Sequence, residues 1–154
     1  MEDLARILRE HPFLDGLKPP HIDFMVGCAR NLRFEAGQFL FREGEPPGDL
    51  LLIREGQVAL EVHVPGKGSQ TVETVFEGDV LGWSSLFPPY QWHLDGRAVT
   101  RVRSIGFDGP CLSKKLEEDH SLGYAITKRL LYQVQQRLER VRMRQLDVYK
   151  KSTS

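Results

Sequence analysis

Between Leu32 and Asp108 the chain reads with a period of two, in runs such as Phe39-Leu-Phe-Arg, Asp49-Leu-Leu-Leu-Ile-Arg, Val58-Ala-Leu-Glu-Val-His-Val and Thr71-Val-Glu-Thr-Val-Phe. That period puts successive side chains on opposite faces of a strand. Glycines at 37, 44, 48, 56, 66, 68 and 78 separate the runs and are expected to supply the positive φ that tight turns demand. Short strands at about 8–12-residue spacing predict a β-sandwich, barrel or jelly roll. On both sides the period becomes helical. Residues 3–10 and 20–30 read as two short helices; in the second, Ile22, Met25, Val26 and Ala29 share a face, and Pro19 and Pro20 suit a first turn, where a missing N–H costs nothing. Residues 109–118 read as a third helix and about 121–149 as a long fourth, with the acidic run Glu117-Glu118-Asp119 preparing its N-terminus. The organisation predicted is one domain: an N-terminal helical cap (1–31), a β-domain (32–108) and C-terminal helices (109–150).

The long helix carries two apolar lines. Positions 124, 127, 131, 134, 138, 141, 145 and 148 alternate by three and four and hold Tyr, Thr, Leu, Val, Leu, Val, Gln and Val, which is a heptad seam. Leu122, Ile126 and Leu130 form a second line on a neighbouring face. The first turns are therefore expected to dock on the β-domain while Leu131, Val134, Leu138 and Val141 form a dimer interface; the alternative is a helix lying wholly on its own domain. Charge follows the same division. The chain balances 21 basic against 21 acidic residues, yet 128–151 holds eight basic residues (Lys128, Arg129, Arg137, Arg140, Arg142, Arg144, Lys150, Lys151) against Glu139 and Asp147. This reads as a solvated face opposite the seam, or as a surface for an acidic partner protein.

Several classes are excluded. Zero net charge argues against a dedicated nucleic-acid binder, and the chain ends at Ser154, leaving no room for a helix-turn-helix after the long helix. No run approaches the roughly 18–20 apolar residues of a membrane span, and the start MEDLAR is neither signal nor transit peptide, so a cytoplasmic protein is expected. Cys28 and Cys111 lack paired metal or redox spacing and read as buried small hydrophobes. No GxSxG, P-loop or HExxH motif occurs, so no enzyme and no metal site is expected.

The order of two helices, a glycine-punctuated β-region, a short helix and a long helix carries four motifs in register: Phe34-x-x-Gly37; Phe41-Arg-Glu-Gly44-Glu-x-x-Gly48-Asp; Leu52-Ile-Arg-Glu-Gly56; and Phe76-Glu-Gly78-Asp79-Val-Leu-Gly82. Over about residues 8–145 the chain resembles the cyclic nucleotide-binding domain, the sensor module of catabolite-activator-type regulators. The resemblance implies an α+β, mainly β fold: a jelly-roll-like β-roll, or double-stranded β-helix, flanked by the N-terminal helices and the long C-terminal helix.

It also implies a ligand site, the phosphate cassette, which in the family begins Phe-Gly-Glu and ends Arg-Ser/Thr-Ala. Free N–H groups and the arginine hold the cyclic phosphate, and the glutamate accepts from the ribose hydroxyl. The corresponding segment here is Leu81-Gly82-Trp83-Ser84-Ser85-Leu86-Phe87-Pro88-Pro89-Tyr90-Gln91-Trp92-His93-Leu94. Gly82 and a helix start at Ser84 remain, but Trp83 stands in the glutamate position and Trp92 in the arginine position, with His93 after it. Arg97-Ala98 offers a less favoured register for the phosphate arginine, because alternation turns Arg97 out of the roll. Losing a guanidinium–phosphate pair removes roughly 1.5–3 kcal/mol and leaves a half-desolvated charge. Cyclic AMP or cyclic GMP is the ligand the resemblance implies; without both charged contacts the usual binding mode is not expected.

The candidate pocket is therefore Gly82, Trp83, Ser84, Ser85, Phe87, Tyr90, Trp92 and His93. Its aromatic side chains either take a flat or apolar small molecule or fill the vacated space as core; His93 alone is no metal or haem ligand. Two functions follow. One is a homodimeric sensory module that passes a ligand signal through the long helix to a separate partner. The other is a ligand-free adaptor.

Overall fold

The computed structural model describes residues 3–46, 48–88 and 94–153, with side chains through Asp147. The helices are α1 (Leu4–Glu10), α2 (Pro19–Val26), α3 (Gly109–Glu118) and α4 (His120–Thr153). The strands are β1 (Ala29–Phe34), β2 (Phe39–Phe41), β3 (Asp49–Glu55), β4 (Val58–Val64), β5 (Gly68–Val75), β6 (Val80–Leu81), β7 (Asp95–Ala98) and β8 (Val102–Asp108). They form two four-stranded sheets, ordered β1-β8-β3-β6 and β2-β7-β4-β5, with antiparallel pairing. This is the expected β-roll flanked by helices.

The first sheet is buried on both faces, which is why β3 reads as an unbroken apolar run rather than an alternation. Leu50 and Leu52 of β3 and Ile105 and Phe107 of β8 pack under the helices with Leu8, Leu14, Ile22, Met25 and Leu112. Leu51, Ile53 and Val102 point the other way, into the roll, against Phe41, Val58, Leu60, Val75 and Ala98 of the second sheet. The N-terminal helices thus cap one sheet while the second sheet closes the pocket side.

Local chemistry sets the ends. The Asp3 carboxylate accepts from the Ala5 and Arg6 N–H groups, and Asp119 Oδ1 accepts from Leu122 N–H at 3.1 Å at the start of α4, each filling an orphan donor of a first turn. The second helix stops earlier than its periodicity predicts. Ala29 and Arg30 belong to β1, opposite Phe107 and Gly106 of β8; Gly27 ends α2, and the ladder to β8 satisfies more backbone groups than another helical turn would. Gly48 takes no positive φ, unlike the other turn glycines; its carbonyl accepts from Gly109 N–H at 2.8 Å.

The cysteines also correct expectation. Cys28, at the α2–β1 junction, and Cys111, in the first turn of α3, form a disulfide with their Cα atoms 5.7 Å apart across 83 residues of sequence. Spacing along the chain conceals this proximity because the pairing of β1 with β8 creates it.

α4 has two faces. Leu122 and Ile126 are fully buried and Leu130 packs against the same core. Arg137, Arg140 and Arg144 continue that face and reach back to the roll. The basic stretch is thus not simply a solvated surface: three of its arginines are engaged on β5 and the β5–β6 turn. The seam is bare, with Tyr124, Leu131, Val134 and Leu138 exposed and Val141 half-buried; the side chain of Val148 lies outside those described. Among the described residues no helix is long and apolar enough to cross a membrane.

His11 ties the N-terminal helices to the roll and sets one pH response. Its Nδ1 accepts from Phe13 N–H at 3.2 Å, so the proton of the neutral ring sits on Nε2 and is donated to the Ile53 carbonyl at 2.9 Å. Burial lowers its pKa from 6.5, partly opposed by the Ile53 hydrogen bond. The unfolded chain therefore takes up the proton first, and stability is lost as pH falls below about 6.5. Thermal melts between pH 7.5 and 5 are expected to show this fall, with a shallower slope in His11→Gln.

Candidate functional site

β6 delivers the chain to Gly82, whose φ of 85° lets it turn sharply into a single 3-10 turn over Trp83–Ser85. Ser85 N–H donates to the Gly82 carbonyl at 2.9 Å and Leu86 N–H to the Trp83 carbonyl at 3.0 Å. Ser85 is buried against Gly109, where a Cβ would come within 2.9 Å of the Ser85 carbonyl oxygen, and its hydroxyl has no hydrogen-bond partner among the described residues. Of the predicted pocket residues, Gly82, Trp83 and Ser84 line a common cavity. Ser85 does not, and Phe87 stands half-exposed outside it. Tyr90, Trp92 and His93 lie outside the described residues.

The cavity, about 190 Å³, opens inside the roll between Phe41, Leu60, Leu81 and Leu94, with Gly82, Trp83 and Ser84 on its rim. Its remaining wall is Arg137 of α4. The guanidinium carbon sits 4.7 Å from the centre of the Trp83 ring, within range of a cation–π contact. Arg137 Nη2 donates to Glu73 Oε2 at 2.9 Å, Nε to the same oxygen at 3.2 Å, and Nη1 to the Val80 carbonyl at 3.4 Å. Both side chains are about nine-tenths buried. Arg140 Nη2 lies 3.6 Å from Glu73 and 3.4 Å from Asp79. Two arginines thus face two carboxylates, and the charge at the cavity mouth cancels.

Arg97 is placed elsewhere. Gly96 and Ala98 face inward, Gly96 against the Phe41 ring, while Arg97 pairs with Glu61 of β4 through Nε–Oε1 at 3.0 Å and Nη2–Oε2 at 3.3 Å. The Glu61 hydrogen bonds raise the Arg97 pKa. Arg97 does not line the cavity. Sequence reasoning missed Glu73, Arg137 and Arg140. The usable signal was the continuation of the Leu122, Ile126, Leu130 line to positions 137, 140 and 144.

Compared with known proteins, residues 31–119 match the family model "Cyclic nucleotide-binding domain", more than half of the chain. The chain belongs to the cyclic nucleotide-binding domain family. A cyclic nucleotide-binding protein structure from Geobacter metallireducens superposes with a TM-score of 0.78 at 27% identity, covering 90% of this chain and 99% of that one. The sensor domain of the transcriptional regulator DNR from Pseudomonas aeruginosa superposes with a TM-score of 0.69 at 18% identity, covering 88% and 91%, which speaks to fold alone. Among curated proteins, a "CRP-like cAMP-activated global transcriptional regulator" of Mycobacterium tuberculosis is 25% identical over 109 residues, covering 71% of this chain and 49% of that protein. The chain spans about half the length of the curated relatives it matches. Within the cyclic nucleotide-binding domain fold, the cavity described above lies in the roll where the cassette turn meets α4. Among the described residues no group of three or more His, Cys, Asp or Glu side chains converges to hold a metal ion.

Proposed function

We propose that this cyclic nucleotide-binding domain is a regulatory sensor that does not take cyclic AMP in the usual mode. Its cavity receives a small, largely apolar molecule and reports it through α4 to a separate partner. The observation that carries this reading is Arg137: a side chain of α4 forms one wall of the roll cavity and stacks on Trp83. Whatever enters the cavity therefore meets the helix directly, and a ligand that prefers one position of α4 shifts its population. The cancelled charge at the mouth disfavours an anionic cyclic phosphate, since Glu73 and Asp79 already occupy the guanidiniums. The proposed assembly is a homodimer through the α4 seam, working in the cytoplasm, with no enzymatic role. A cytoplasmic setting would hold Cys28 and Cys111 as thiols, which thiol counting by mass spectrometry on freshly isolated protein decides.

Calorimetry against cyclic AMP, cyclic GMP and a panel of flat uncharged molecules tests the reading. Binding from the uncharged panel and none from the nucleotides supports it; micromolar binding of cyclic AMP by the parent sinks it. The variant Trp83→Glu with Trp92→Arg is expected to gain about 10–100-fold in cyclic nucleotide affinity, the worth of the restored charged contacts. A second reading, the ligand-free adaptor, is favoured by the small cavity and its closed Arg137–Glu73 mouth; it prevails if no molecule of any class binds.

A further inference from the structure

The outer face of the first sheet changes character along its length. Under the helices it carries Leu50, Leu52, Ile105 and Phe107. Past the helices, the same alternation brings Arg54 of β3 and Arg103 of β8 to that face. Arg33 of β1 stands directly opposite Arg103, and Arg101 enters from the turn before β8. Together with Asn31 and Leu32, these four arginines line one concavity of about 240 Å³.

The neighbouring carboxylates are Glu35, 3.0 Å from Arg33 Nε, and Glu55, 3.9 Å from Arg103 Nη1. Arg54 Nη1 donates to Asn31 Oδ1 at 3.4 Å, reaching across β8. Four guanidiniums thus share two nearby carboxylates, and a like-charged pair sits directly opposite on bonded strands, an arrangement that weakens a sheet unless something compensates it. The frame is stiff. Gln57 N–H donates to Thr100 Oγ1 at 3.1 Å, and a Cβ at Gly56 would collide with the Arg101 carbonyl oxygen, so the turn carrying Arg101 is closely packed.

We propose that this concavity binds a phosphoryl group bearing two or more negative charges. Guanidinium forks converging from three adjacent strands and a turn offer many donors in a small volume. That suits a tetrahedral oxyanion with several acceptor oxygens better than carboxylates strung along a chain. The group arrives either on a free small molecule or on a phosphorylated side chain of a partner protein. The site is separate from the roll cavity and stands whatever that cavity takes.

The test is calorimetry, with amide NMR shifts at 31–33, 54 and 101–103, using three probes: sodium tripolyphosphate, a phosphoserine peptide, and the same peptide with glutamate for phosphoserine. Binding of either phosphorylated probe, mapped to these amides and about tenfold weaker in Arg33→Gln with Arg103→Gln, is expected. Both side chains are solvent-accessible, and the double variant should melt no lower than the parent because the like-charged pair is gone. Tighter tripolyphosphate binding assigns the free ligand, tighter phosphopeptide binding the protein-borne one. No binding of either, unchanged affinity in the double variant, equal affinity for the glutamate peptide, or an equal loss in Arg142→Gln on α4 would each overturn the proposal.

Discussion

Leu131→Glu with Leu138→Glu is expected to sediment as a folded monomer at concentrations where the parent chain is a dimer. Leu131 is 68% exposed and Leu138 48%, so neither supports the core of a single chain and the variant should keep its melting temperature to within a few degrees. Tyr124 and Val134 lie exposed on the same stripe. Beside it runs a groove of about 630 Å³ whose walls include Trp83, Leu86, Leu116, Leu130 and Leu131. A second copy of α4 laid along this stripe buries two substituted leucines per protomer. At roughly 1.5–3 kcal/mol for each leucine side chain removed from water, the four leucines contribute on the order of 6–12 kcal/mol, which is most of what a micromolar to nanomolar dimer has. Four carboxylates in the same seam add repulsion. Sedimentation velocity reads the outcome, and a dimer that persists moves the interface off α4.

The parts of this structure that repeat in sequence were the parts readable from it. The alternation of 32–108 and the 3–4 spacing of Leu122, Ile126 and Leu130 each report burial against one neighbour, and both elements formed where predicted. Features that depend on two distant segments meeting carry no local period. Cys28 and Cys111 are brought together by the β1–β8 ladder, and Ala29 leaves its helical pattern for the same ladder. Glu73 was hidden by an inversion. On β5 the apolar Val72 and Phe76 are exposed while Glu73 is buried, because Glu73 shares the inward row with Val75 and an arginine from α4 compensates its charge. A pattern that sorts residues by hydropathy places such an acid outside. The cassette lay between these cases: Gly82 and the turn at Trp83 form where the motif placed them, whereas Arg137, arriving from 54 positions further along, closes the wall.

That buried pair gives the largest effect expected from a single side chain inside the chain. Arg137→Met leaves the Glu73 carboxylate about nine-tenths buried with only Arg140, at 3.6 Å, to face it. Breaking a buried pair costs roughly 3–5 kcal/mol, and the remaining arginine puts this case at the low end. For a domain of this size that is a fall of about 6–12 °C in melting temperature. Glu73→Leu alone strands the guanidinium instead and should cost a similar amount. The double variant, Glu73→Leu with Arg137→Met, removes both desolvated charges and is expected to recover most of the loss, so the coupling energy of the cycle should exceed about 1 kcal/mol. Additive losses would mean that the two groups do not share their charge. Hydrogen exchange separates the structural role from the signalling one. In the double variant, amides near 122–130 stay protected because Leu122 and Ile126 still anchor them, while those from 137 to 147 exchange faster. If both segments loosen together, α4 responds as one rigid rod. A ligand at Arg137 would then move the seam as well as the arginine face.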